Sequence, residues 1–145
     1  MLNVPAITPV EERLVTRANV PYLIEIEPQA QVAAGANAVV RQVVGPRDFV
    51  CTGFGFTSEP VGVPAAGQYF KISIEDIGGA TRFSPARFHV TPVIGTNPGV
   101  GDQSPFEFPK DAPWTFTSLT TIEVVFENLG ALPCTPTLVL IGYLT

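Results

Sequence analysis

At 145 residues the chain has the length of one domain, enough to bury roughly 68–70% of its unfolded surface in a core. Only 14% of its residues are charged while 46% are apolar, and mean hydropathy is +0.29, so part of the exterior is expected to be covered by partners. A net charge of −5 gives the long-range field the wrong sign for nucleic-acid phosphates, and Arg82 with Arg87 is too little for a phosphate track.

No secretory leader is expected, because Pro5, Pro9, Glu11 and Glu12 break up any apolar run at the start. Nor does any apolar run reach the ~18 residues of a membrane span. Without a leader, Cys51 and Cys134 are expected as reduced, buried thiols rather than a disulfide. The 15 Pro and 13 Gly are scattered through the chain, as an all-β domain with many turns requires.

Residues 1–21 form an expected N-terminal arm ahead of a single domain at 22–145. Thr8-Pro9-Val10-Glu11 reads as a capping box with proline at the first helical position, which predicts a short helix over 9–17. Two turns of helix are marginal alone, so the arm is expected to dock on its own sandwich or on a neighbour.

Tyr22 to Glu27 is the first strand, with Tyr22, Ile24 and Ile26 on one face. Val39 to Val44 is the second, and Gly45-Pro46-Arg47-Asp48 turns the chain into a third at Phe49 to Phe56. The glycines there point to a bulge or to close packing against aromatics. A loop at 58–68 precedes a cleanly alternating strand, with Phe70, Ile72 and Ile74 inward. Gly78-Gly79 turns it, and a short strand is expected between Phe83 and Val90. Residues 91–113 carry five prolines and three glycines with little periodicity, the mark of a functional loop.

Thr120 to Asn128 is the plainest strand in the chain. Ile122, Val124 and Phe126 form one face, opposed by Glu123, Val125 and Glu127. After a turn at Asn128-Leu129-Gly130, the run from Thr137 to Tyr143 is so continuously apolar that burial on both faces is expected. About eight short antiparallel strands predict a two-sheet antiparallel β-sandwich, with a jelly roll among its possible wrappings.

Chemistry is sparse. His89 is the single histidine, and a hydrolytic triad would have to join it to Ser84 and to Asp76 or Asp102, without any nucleophile elbow. An ordinary structural role for His89 is favoured. No metal-ligand spacing links Cys51, Cys134 and His89. Glu75 and Asp76 are adjacent on a strand and face opposite ways, a poor acid–base couple. No cofactor and no catalysis are expected. An aromatic platform of Phe106, Phe108 and Trp114 could stack on a sugar, although in a sandwich such rings more often fill the ends of the core.

Three short elements carry a resemblance over residues 22–145: Pro105-Phe106-Glu107-Phe108-Pro109, then Glu127-Asn128-Leu129-Gly130, then Ile141-Gly142-Tyr143. In this order the chain resembles the small β-sandwich head proteins of tailed bacteriophages. The resemblance implies a decoration or cement protein, made in the host cytoplasm and carried on the capsid exterior of the virion. It implies the major capsid protein and further copies of the chain, as dimer or trimer, as partners, with neither nucleic acid nor membrane. The motifs transfer no functional side chain. Val10 and Leu14 in the arm, with Phe106, Phe108 and Trp114, are the expected apolar interface anchors. A phage tail component or a carbohydrate-binding sandwich is the alternative.

Overall fold

The computed structural model describes residues 19–59, 70–90 and 105–145. The helix expected at 9–17, the anchors Val10 and Leu14, Asp102 and most of the two long loops lie outside the described residues.

Ten strands follow in order: β1 (Val20–Ile26), β2 (Asn37–Val43), β3 (Phe49–Glu59), β4 (Phe70–Asp76), β5 (Thr81–Arg82), β6 (Phe88–His89), β7 (Phe106–Glu107), β8 (Trp114–Phe116), β9 (Thr121–Asn128) and β10 (Thr135–Leu144). They make two antiparallel five-stranded sheets that pack as a β-sandwich. The β10 sheet runs β1-β10-β3-β7 with β8 also on β3, and the β9 sheet runs β2-β9-β4-β5 with β6 also on β4. Three long strands give each sheet its body, and the two-residue strands are what raise the count above eight.

Pairing is nested. β1 pairs with β10, β2 with β9, β3 with β8 and β4 with β6, as though one long hairpin had been rolled up. The chain changes sheet at nearly every long connection, so sequence neighbours such as β1 and β2 face each other across the core.

Period-2 alternation decides what that core contains. From the β9 sheet come Phe70, Ile72, Ile74, Ile122, Val124 and Phe126, each essentially excluded from solvent. From the β10 sheet come Ile26, Phe49, Phe54, Leu138 and Leu140. The inward faces expected for β4 and β9 are therefore the observed ones. Ile24 and Ile26 are buried as expected, while Tyr22, on the same face, stands at the sheet's end with its ring edge-on to Phe49 at 6.2 Å.

β10 departs from expectation. Pro136, Leu138 and Leu140 are buried, but Thr137, Val139 and Ile141 between them are only half-buried. The strand has one core face, and its second apolar face looks outward.

Two buried polar side chains tie turns to the sandwich. Asn128 donates from Nδ2 to the carbonyls of Val32 (2.9 Å) and Leu132 (2.8 Å), and accepts from Gly130 N at 2.8 Å. It thus pins the 129–134 turn to the loop before β2, where Val32 and Cys134 also exchange backbone bonds. Asp76 accepts from the Thr120 hydroxyl and from Gly79 N, closing the β4–β5 turn. Bonded in this way, neither group carries the penalty of an unpartnered buried dipole.

Candidate docking face and groove

The two outward faces of the sandwich differ in chemistry. Across the β9 sheet, register places Arg41 opposite Glu123, Glu123 opposite Glu75, and Glu75 opposite Arg82. The two central carboxylates would repel, but each is held by a terminal arginine: Arg41 Nε lies 2.9 Å from Glu123 and Arg82 Nε 3.2 Å from Glu75. A third pair joins Arg87 to Glu127 at 3.2 Å. Val39, Val43 and Val125 share this face with the ion pairs, so its apolar residues are interleaved with charge.

The outward face of the β10 sheet has little charge. Its rows read Pro21–Tyr143–Val50, Leu23–Ile141–Gly53 and Glu25–Val139–Gly55, with Glu25 at the β1 edge and Glu107, opposite Gly53, at the β7 edge. Over it crosses the 105–113 segment, enclosing a groove of about 390 Å³. Pro105, Pro109 and Pro113 line the groove on the side of that segment, and Gly53, Ile141 and Tyr143 on the side of the sheet. Glu107 and Lys110 are its charged lining residues.

Glycine makes that crossing possible. Thr52 is the extra residue where the register of β3 against β10 slips, a bulge of the kind the glycines of β3 predict. Phe108 N then bonds Thr52 O at 2.8 Å, and β7 lies so close that a Cβ on Gly53 would stand 2.3 Å from Phe106 O. At the same slip a Cβ on Gly142 would come within 1.9 Å of Val50 O. Steric room, rather than turn chemistry, explains both glycines.

Phe106, Phe108 and Trp114 are brought together, half-buried, in an aromatic cluster that closes the flank formed by the short strands. Phe106 packs on Phe54 at 5.3 Å and on Phe108 at 5.4 Å; Phe83 lies 5.6 Å from both. Trp114 stacks on Phe83 and lies 4.5 Å from Phe116, with Nε1 directed at Thr81 Oγ1 (3.3 Å). Their ring faces are largely taken up by one another.

Among the described residues, the histidine and aspartate that a hydrolytic triad would join are not assembled. His89 is exposed opposite Lys71, whereas Asp76 points into the core five positions further along β4, roughly 16 Å away at the strand rise. Ser84 donates to the Ala86 carbonyl. Among the described residues no cluster of three His, Cys, Asp or Glu is placed to hold a metal ion.

Neither cysteine is in a disulfide and both are buried, as expected. Cys51 lies opposite Gly142, eight positions along β10 from Cys134, roughly 26 Å at the strand rise and far beyond disulfide reach. Burial pushes the Cys51 thiol up to about 11, against smaller opposing effects of the backbone at Gly53 and Ile141. Burial raises Cys134 as well.

The apolar outward row of β10 had a sequence signal, the unbroken run of Leu138 to Ile141, but it read as double burial. The groove had a weaker one in Gly53-x-Gly55. No protein-family model matches the chain, and no curated protein matches it.

Proposed function

We propose that this chain is a non-catalytic structural protein of a viral particle, one that decorates the outside of a capsid and bridges its major subunits. The observation that carries this reading is the contrast between the two outward faces. The outward face of the β9 sheet carries three ion pairs among Val39, Val43 and Val125, whereas the β10 sheet presents Leu23, Val139, Ile141 and Tyr143 beside a proline-walled groove. An apolar row of that kind is what a protein buries against a shell. The nested pairing of β1 to β10, β2 to β9, β3 to β8 and β4 to β6 supports reading the sandwich as a jelly roll. The Pro105-to-Pro109 element, on which the phage resemblance partly rests, is also the element that walls the groove.

The test is quantitative mass spectrometry of purified particles from the source, with the most abundant shell protein as reference. Hundreds of copies per particle are expected, and Ile141→Asp should reduce occupancy while leaving the fold intact. A handful of copies would point instead to a tail component, where the groove becomes a ligand site. Absence from every particle would sink the viral reading.

A further inference from the structure

Among the described residues, five large apolar side chains are exposed on just two strands: Val20, Tyr22 and Leu23 on β1, and Val39 and Val43 on β2. Leu23 keeps 60% of its surface open, Val39 56%, Val43 55% and Tyr22 46%. Both strands are sheet edges, and they lie on the same flank, opposite the aromatic cluster. Bare edges of this composition are templates for another strand. Proline guards only the start of β1, at Pro21, and nothing comparable guards β2.

We propose that this flank is the interface of a symmetric dimer, in which β1 of each copy pairs antiparallel with β2 of the other. The proposal does not depend on the particle role. Its occupant, a second copy, follows from charge and geometry. β1 carries Glu25, with Glu27 just past its end, and no cation; β2 carries Arg41 and no acid. Joining β1 to β1, or β2 to β2, sets like charge near like, whereas β1 against β2 sets acid near base.

The geometry permits both junctions at once. Val20 and Phe49 both pair with Leu144, so β1 and β3 begin at the same end of the sandwich. β2 finishes at that end, because only residues 44–48 separate it from β3. β1 and β2 therefore run in opposite directions across the open flank. The recess between them is lined by Tyr22 to Glu25 from one strand and by Gln42, Val43 and Gly45 from the other, so these stretches stand at the same height.

A twofold axis parallel to the strands preserves height and keeps outward faces outward. It lays the second copy's β1 beside β2, antiparallel, and does the same in reverse. The register that results sets Leu23 against Val43 and Glu25 against Arg41. A guanidinium has five N–H donors, so Arg41 can hold Glu123 and a second carboxylate together. Each sheet of one copy then continues into the opposite sheet of its partner, and the dimer is left without bare long edges on this flank.

The experiment combines sedimentation of the full chain with cysteine cross-linking. At tens of micromolar, the chain is expected to sediment at twice its 15.5 kDa mass. A Leu23→Cys/Val43→Cys double variant should give a covalent dimer on mild oxidation, since the native thiols are buried. A Leu23→Cys/Val39→Cys pair, four residues further along β2 and roughly 13 Å away, should not. Val43→Lys, which removes the apolar contact, should weaken the dimer by about tenfold or more. A chain that stays single at that concentration overturns the proposal and leaves the flank to another occupant, the preceding residues 1–18 among them. A dimer that cross-links equally through both pairs, or through neither, places the interface elsewhere. A ladder of larger species excludes the twofold.

Discussion

The two flanks of the sandwich solve the same problem differently. On one, the ends of the sheets are stitched by two- and three-residue strands, and the gap is filled by Phe54, Phe83, Phe88, Phe106, Phe108, Trp114 and Phe116. On the other, β1 and β2 simply end the sheets and leave valine, leucine and tyrosine in water. A chain that can close one side with seven rings has the means to close both. The difference teaches that closing the sheets on one side does not require it on the other: the aromatic flank is packed for stability, and the open one leaves two long edge strands unpaired within the chain.

Mutation should separate the two sharply. Phe54→Ala, at the centre of the aromatic flank, is expected to cost about 3–5 kcal/mol in chemical denaturation. Phe126→Ala, between the sheets, should fall in the same range, and a near-neutral value would mean the inward register of β9 is wrong. Leu23→Ser on the open flank should change monomer stability by less than about 0.5 kcal/mol. If Leu23→Ser proves as damaging as Phe54→Ala, the contrast between flanks disappears.

Gly53→Ala probes the crossing of β7 over β3. The added methyl must displace backbone at Phe106, so a loss of about 1–3 kcal/mol is expected, together with proteolytic sensitivity in the 105–113 segment. Unchanged stability would show that β7 is only loosely held.

Cys51 gives a pH signature specific to the core. Its thiol is raised from 9.0 to about 11, so the folded state disfavours the thiolate. The stability this represents is fully present below pH 9 and is lost as pH rises toward 11. A two-unit shift corresponds to about 3 kcal/mol. Urea midpoints should therefore fall more steeply over that window in the native chain than in Cys51→Ala, and parallel curves would refute the assignment. The smallest effect is expected on the charged face, where Arg82→Ala should cost no more than about 1 kcal/mol and less in high salt.

Sequence pattern revealed some of this architecture and hid the rest for definable reasons. β4 and β9 were legible because each has water on one side, and alternation records that directly in Phe70-Lys71-Ile72 and Ile122-Glu123-Val124. β10 misled for the opposite reason. Its outward Val139 and Ile141 are apolar although that face is not the core, and pattern alone cannot tell a core face from an apolar outward one. The strands at Thr81, Phe88 and Phe106 are too short to have a period. Nor could periodicity show that β1 and β2 share a flank, since that follows from pairing β1 with the last strand and β2 with the one before it. The grouping of Phe106, Phe108 and Trp114 was visible from their closeness along the chain. Their mutual stacking depended on Phe83 and Phe54, which come from distant strands.

The nested pairing bears on how the molecule is made. β10 runs down the middle of its sheet, between β1 and β3, and β9 occupies the same place between β2 and β4. Both central strands are therefore the last of the ten described strands to be synthesised. Until they are, β1 and β2 have no partners in their sheets and must wait as unpaired, aggregation-prone segments, while β3 and β4 have only the short strands β5 to β8 to pair with. Synthesis of residues 121–144 is thus the moment at which this domain first becomes able to fold, and release of a chain stopped short of it yields no smaller sandwich.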